Sequence, residues 1–282
     1  MKRSAPRLLA GQLAVALCLT GCGAAGPEIP ARTAWPMRVM SMNQCTDQLV
    51  LALLPPSRIA SVTWLSRDPR YSAMVGAARR VAINRGAVEE VIATRPDLIV
   101  SDAFSNPAGR ALLERLRQPL LSIADAEDIA AIRRNVRDLA AALGVPRRGA
   151  ALIARMDRQM SAFAAAPPIR VAVWGRDGMR ESPLLATVIA AAGLVDVTPA
   201  TGPADIEALL RAAPDFLIEG GGDNGGASLG DERRDHVLVR RRWPSSRILR
   251  VPARDTICGT PAIGDAAMAL RAQVRAAIRR KG

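Results

Sequence analysis

The sequence Val88-Glu89-Glu90-Val91-Ile92-Ala93-Thr94-Arg95-Pro96-Asp97-Leu98-Ile99-Val100 returns, with altered letters, as Ile206-Glu207-Ala208-Leu209-Leu210-Arg211-Ala212-Ala213-Pro214-Asp215-Phe216-Leu217-Ile218. Each stretch reads as a short amphipathic helix, stopped by a Pro-Asp turn and followed by an apolar strand. A glutamate stands seven residues before the proline both times. Either stretch alone is a common α/β element. Its recurrence indicates that the chain is built from the same unit twice.

The flanks repeat as well. Residues 38–42 and 169–175 read as opening strands, and helices are predicted over 47–54, behind Thr46 as N-cap, and over 183–192, behind Ser182. Residues 58–62 read as a second strand, and 120–123 and 247–251 as later ones. Strands alternating with helices over short connections predict a parallel α/β sheet in each half. Between the halves, Ile129, Ile132, Val136, Leu139 and Leu143 hold one apolar stripe that ends at Gly144; Ile153, Met156, Met160 and Phe163 hold a second. A helix over 147–165 would reach roughly 28 Å, enough to bridge two lobes, and a stiff link of that kind predicts a small hinge motion. The expected organisation is an N-terminal α/β lobe over 37–145, an inter-lobe helix over 146–167 and a C-terminal α/β lobe over 168–282. The halves differ at residues 63–85, a long stretch with Trp64, Arg67, Asp68 and Tyr71 whose counterpart, 198–203, is short. Function tends to sit in such insertions.

The N-terminus carries an export pattern: Lys2, Arg3 and Arg7, an apolar run over 8–19 too short to span a bilayer, then Leu19-Thr20-Gly21-Cys22. That tetrapeptide resembles a bacterial lipobox. The resemblance implies a lipoprotein signal over 1–22 with Cys22 as the lipidated residue, the alternative being an ordinary signal cut near Ala24-Ala25-Gly26. Residues 23–36, rich in Gly, Ala and Pro, read as a tether. Cys18 leaves with the signal, so Cys45 and Cys258 remain as thiols in an oxidising compartment. They are open to a disulfide, to two free structural thiols, or to contact with a ligand or metal.

Composition narrows the function. The net charge of +13 suggests nucleic acid, but only Lys2 and Lys281 are lysines and the arginines are dispersed among acidic residues. No basic run with interleaved aromatics is present, so nucleic-acid binding is not expected. An enzyme is also poorly supplied. The chain has one histidine, His236, no Gly-x-Ser-x-Gly elbow, and a Gly-rich stretch over 220–226 that lacks the Lys-Ser/Thr of a phosphate loop. Neither catalysis, nor a resident cofactor, nor a protein-held metal site is expected.

Three segments carry a family resemblance: Arg38-Val39-Met40-Ser41-Met42-Asn43, Arg58-Ile59-Ala60-Ser61-Val62, and Gly86-Ala87-Val88-Glu89 leading to Arg95-Pro96-Asp97-Leu98-Ile99-Val100. In this order, with the spacer helix and the lipobox, the chain from Arg38 onward resembles the iron-siderophore and vitamin B12 type of ABC-importer binding protein, in lipoprotein form. The resemblance implies a class III periplasmic-binding-protein fold: two Rossmann-like α/β lobes joined by a single long helix. It further implies a monomeric, lipid-anchored receptor on the periplasmic side of a bacterial membrane, inner or outer. That receptor captures a metal chelate, cobalamin (or a related corrinoid) or a ferric siderophore, and delivers it to an ABC permease and its ATPase. Glu89 and Glu207 match the family's permease-docking positions, with Glu90 as a substitute for Glu89; the plainer reading is two first-turn glutamates favoured by the helix dipole.

Ligand sites in such folds lie at strand ends between the lobes. That placement selects Asn43, Cys45, Trp64, Arg67 and Asp68 from the first lobe, and Trp174, Arg254, Asp255 and Cys258 from the second. Trp faces suit a large planar ligand and Arg suits carboxylate or catecholate oxygens. On the family layout Cys45 and Cys258 both face the cleft, where a disulfide would staple the lobes. Trp243, within Arg240-Arg241-Arg242-Trp243, is expected at the lobe surface. Heme would find only His236 and Tyr71 as axial ligands, whereas a chelated metal needs none from the protein, which places cobalamin slightly ahead of a siderophore. A receptor for heme or another metal complex, or a structural lipoprotein on the same fold, is the alternative.

Overall fold

The computed structural model describes residues 35–161, 168–174, 183–199, 205–221 and 235–280. The export signal, Cys22, nearly all of the tether, Phe163 with the end of the inter-lobe helix, Ser182 and most of the Gly-rich stretch lie outside the described residues. Among the described residues, strands form two sheets. The first contains β1 (Val39–Ser41), β2 (Ile59–Thr63), β3 (Ile83–Asn84), β4 (Leu98–Asp102) and β5 (Leu120–Ile123), in the order β3-β2-β1-β4-β5. The second contains β6 (Ile169–Val173), β7 (Leu194–Asp196), β8 (Phe216–Gly221) and β9 (Ile248–Pro252), in the order β7-β6-β8-β9. Every pairing is parallel, as expected when each strand returns through a helix. The helices are α1 (Gln44–Leu53), α2 (Val75–Ala78), α3 (Val88–Thr94), α4 (Pro107–Arg115), α5 (Ile129–Ala142), α6 (Pro146–Met160), α7 (Pro183–Ala191), α8 (Ile206–Ala212), α9 (Val237–Arg242) and α10 (Ile263–Arg279).

The repeat legible in the sequence extends to individual hydrogen bonds. In the first half the Asp97 carboxylate accepts from the Arg38 amide at 2.9 Å, the Asp97 amide donates to the Arg38 carbonyl at 3.1 Å, and the Arg38 guanidinium donates to the Thr94 carbonyl at 2.8 Å. In the second half Asp215, Arg170 and Ala212 repeat the pattern at 2.9, 2.8 and 2.8 Å. Both helices end on a residue in the left-handed region, Arg95 at φ 49° and Ala213 at φ 44°. Each donates its amide back to the buried fourth residue before it, Val91 or Leu209. The following proline forbids continuation, so the chain turns and enters a buried strand.

The halves meet on α6, which rises roughly 22 Å over its 15 residues. On one side it approaches α5 so closely that a Cβ on Gly149 would lie 2.5 Å from the Ala140 Cβ. On the other it faces α10, where Arg155 and Gln159 both donate to Asp265 at 2.6 Å. Arg271 of α10, nearly buried, donates to the carbonyls of Ser161 and Ala191. A helix held by a neighbour from each half acts as a spacer rather than a tether.

Three local expectations are corrected. The first helix begins at Gln44, not 47: Asn43 is the N-cap, its Oδ1 accepting from the Cys45 amide at 2.7 Å, while the Thr46 hydroxyl donates to the Asn43 carbonyl at 3.0 Å. Residues 63–85 are not one loop, since they hold a 3-10 turn (Trp64–Arg67), α2, and β3 at the sheet edge. Trp243 is not a surface anchor. It is 1% exposed, and its Nε1 donates to the Pro214 carbonyl at 2.9 Å beneath the end of α8.

Candidate functional site

In the first sheet the strand order reverses between β1 and β4, and in parallel sheets ligands bind outside the strand ends at such a point. A cavity of about 240 Å³ lies there, between the two halves. Cys45 and Thr46 follow β1, Asp102 ends β4, and Asp125, Ala126 and Glu127 follow β5; Pro183, Leu184, Ile257 and Gly259 close it from the second half.

Its charge is one-sided. Asp102, Asp125 and Glu127 stand on the wall, and no arginine or lysine does among the described residues. Asp102 is occupied locally, accepting from the Ser105 amide at 3.1 Å and the Ser105 hydroxyl at 2.7 Å. Asp125 titrates above the ordinary carboxylate range, first through partial desolvation and then through the like charges of Asp102 and Glu127. Among the described residues no group of three or more His, Cys, Asp or Glu side chains is arranged to hold a metal ion.

Among the described residues, three ties cross between the halves beside this cavity. Cys45 and Cys258 form a disulfide, with Cα atoms 5.1 Å apart across a sequence separation of 213. The Arg254 guanidinium donates to the Pro69 carbonyl at 2.8 Å. Gly259 lies so close to the first half that a Cβ there would collide with the Ala126 carbonyl oxygen.

Of the nine ligand contacts expected from sequence, Cys45 is on the cavity wall and the other eight are not. Asn43 is a helix cap whose Nδ2 donates to Ser105 Oγ at 3.2 Å. Trp64, 49% exposed, stands on the 3-10 turn after β2. The Arg67 guanidinium is spent on the carbonyls of Ala78 and Val81. Asp68 pairs with Arg70 at 2.5 Å, which holds its carboxyl below the usual range. Trp174 is buried in the second core, and its Nε1 has no hydrogen-bond partner among the described residues. Arg254 reaches across to Pro69, and Asp255 beside it titrates high because it is desolvated. Cys258 is buried behind the bridge. His236 caps α9, and the Tyr71 ring lies under Arg70, so neither reaches the cavity.

Sequence reasoning missed Asp102, Asp125, Glu127 and Ile257. The available signal was positional: the first three end or directly follow strands of a parallel sheet, where crevice residues belong. At the top of α3, Glu90 turns inward, accepting from the amides of Arg85 at 2.8 Å and Ala87 at 3.1 Å. Glu89 is left exposed, and Glu207 occupies the equivalent place on α8 with its side chain 83% exposed, 3.7 Å from Arg211.

Two parallel α/β halves braced by one helix, with a cavity shared between them, define a two-lobed binding-protein architecture. The chain belongs to the periplasmic binding protein family, which it matches over residues 39–247. Among solved structures it is similar to the periplasmic heme-binding protein HutB of Vibrio cholerae, at 17% identity and a TM-score of 0.65, covering 85% of this chain and 98% of that one. It is also similar to a periplasmic heme-binding protein from Pseudomonas aeruginosa, at 21% identity and 0.59, covering 84% and 92%. The vitamin B12-binding protein BtuF of Vibrio cholerae is a third, at 16% identity and 0.55, covering 86% and 98%. At these identities the likeness establishes the shared fold. No curated protein sequence matches the chain.

Proposed function

We propose that the protein is the solute-binding component of an ABC importer, capturing a metal chelate in the cavity between its lobes and presenting it to the permease without chemical change. The observation that carries this reading is the cavity itself, with walls from both halves at the strand-order reversal of the first sheet.

The wall refines the ligand class. A volume of about 240 Å³ suits a compact chelate better than a corrinoid. Three carboxylates with no basic neighbour on the described wall favour a neutral or positively charged complex. A ferric siderophore of the hydroxamate type therefore moves ahead of cobalamin. Heme is disfavoured, because neither His236 nor Tyr71 lines the cavity. Glu89 and Glu207, exposed at equivalent places on the two lobes, are the proposed contacts with arginine pockets of the permease. A lipid on Cys22 would hold the receptor at the periplasmic face of a membrane, as a monomer.

Tryptophan-quenching titrations of the exported protein test this directly, with ferrioxamine B, an anionic ferric tricatecholate, cyanocobalamin and heme as probes. Saturable quenching by ferrioxamine B at micromolar concentration or below is expected. Absence of saturable binding by every probe would overturn the reading.

A further inference from the structure

We propose that the strand-entry edge of the first sheet is a lipid-facing surface that rests the body on an anionic phospholipid bilayer. The inference goes beyond the proposed function. It depends neither on the solute nor on a lipid at Cys22, and it assigns the face of the body that meets the membrane.

Because β1, β2, β4 and β5 are parallel, the residues that enter them share one edge, opposite the cavity that Cys45 and Asp102 line at the strand exits. The turn from α5 to α6 is drawn to the same edge. Arg58, entering β2, donates to the carbonyls of Pro36 at 3.0 Å and Leu143 at 2.7 Å. The Trp35 ring lies so close to Gly144 that a Cβ there would overlap it. Trp35 is also the first described residue, so the preceding segment joins the body at this edge.

The edge is basic and partly apolar. Arg38, Arg95, Arg115, Arg117, Arg147 and Arg148 are exposed there, and among the described residues none of them is in an ion pair. Against them stand Glu114 and Asp97, whose carboxylate accepts from the amides of Met37 and Arg38. Arg95 and Arg117 hold φ of 49° and 53°, where glycine is favoured, so the edge keeps two cations at a conformational cost. Among the arginines, Trp35, Met37 and Leu116 are exposed. An indole suits the headgroup level of a bilayer, and guanidinium groups on flexible stems reach its phosphates. An anionic headgroup layer over acyl chains answers both features at once. The orientation also fits, since α3 runs from Glu89 in its first turn, at the strand exits, to Arg95 at this edge. A body resting on its arginines turns Glu89 and the cavity away from the lipid, open to solute.

Vesicle sedimentation tests the contact on unlipidated protein of residues 23–282, which includes the whole compact unit from Ala34 onward. The vesicles are phosphatidylcholine alone or with one third phosphatidylglycerol. Binding to the anionic vesicles is expected at low salt, at least tenfold weaker on neutral vesicles and in about 0.5 M salt. Each arginine near an anionic surface contributes about fivefold, so Arg147→Glu/Arg148→Glu should weaken binding at least tenfold. The new glutamates lie in the first turn of α6, where the helix dipole favours them. Arg134→Glu/Arg137→Glu makes the same charge change on the exposed flank of α5 and should stay within about threefold of wild type. Near-UV circular dichroism checks each variant for native packing.

A second readout locates the contact. Brominated lipids in the anionic vesicles should quench wild-type and Trp64→Phe emission alike and lose that quenching in Trp35→Phe, because Trp64 stands at the strand exits. No preference for anionic vesicles, equal loss in the two arginine variants, or quenching that follows Trp64 would each overturn the proposal. Solute titrations in the absence of vesicles are untouched by these outcomes, so the binding function stands or falls separately.

Discussion

Asp47 offers a quantitative test of how the first lobe is assembled. Its side chain has no exposed surface, and Oδ2 accepts from the Thr63 amide at 3.0 Å, the Thr63 hydroxyl at 2.5 Å and the Ser66 hydroxyl at 2.6 Å, while Oδ1 lacks a hydrogen bond of good geometry among the described residues. Burial raises its pKa from 3.8 to about 6, against the opposing pull of the hydroxyls of Ser41, Ser66 and Thr63 and of the Thr63 amide. Because the folded protein holds this proton more tightly than the unfolded chain, stability falls as pH rises from about 4 to above 6. The charged form costs about 3 kcal/mol in all, of which about 2 to 2.5 kcal/mol develops between pH 4 and pH 8.

Asp47→Asn keeps the acceptor that pins the exit of β2 and removes the charge. Its amide places an unpartnered N–H where Oδ1 was, a fixed offset independent of pH. The expected signature is therefore a change with pH rather than an absolute gain. In guanidinium unfolding at pH 4 and pH 8, the stability of the Asp47→Asn variant relative to wild type should improve by about 2 kcal/mol at the higher pH, a difference of roughly 4–8 °C in Tm for a chain of this size. A difference that stays constant from pH 4 to pH 8 would show that Asp47 is not a strained buried carboxylate.

Other outcomes follow from the same structure. Glu89→Ala and Glu207→Ala should leave chelate affinity within twofold in titrations yet abolish uptake in a transport assay with the cognate permease; lost affinity would put these residues in the pocket. Asp125→Arg should weaken ferrioxamine B at least tenfold, about 1.4 kcal/mol by calorimetry, because it reverses the charge of the cavity wall. Ala213→Gly should raise stability by about 1 kcal/mol in denaturant melts, since a Cβ at φ 44° is disfavoured. Trp243→Ala should cost about 3–5 kcal/mol in the same assay, as expected for an indole that is 1% exposed.

How far the fold was legible depended on whether the signal was local. Helix, Pro-Asp stop and buried strand all fall within thirteen residues, so Val88 to Val100 and Ile206 to Ile218 declared the repeat directly. The cap at Asn43 was missed because Thr46 is an equally good capping residue three positions on, and only the hydrogen bonds distinguish them. Trp243 read as a surface residue because three arginines precede it, yet at the end of α9 the indole turns inward with the Arg242 guanidinium 5.4 Å from its ring centre.

The site was less legible than the fold. Arg67 and Arg254 looked like ligand-binding arginines, and each instead satisfies carbonyls of the 63–85 insertion, a use that depends on where that segment folds back. Asp125 and Glu127 carry no motif. They become a site because β5 delivers them beside Asp102 at the end of β4, and that adjacency is a property of strand order.

Anomalous diffraction from crystals of the oxidised protein grown with ferrioxamine B tests the shared cavity most directly. A single iron peak is expected between Asp125 and Ile257, in contact range of both halves. An iron peak on one lobe alone, away from Cys45 and Leu184, would contradict it.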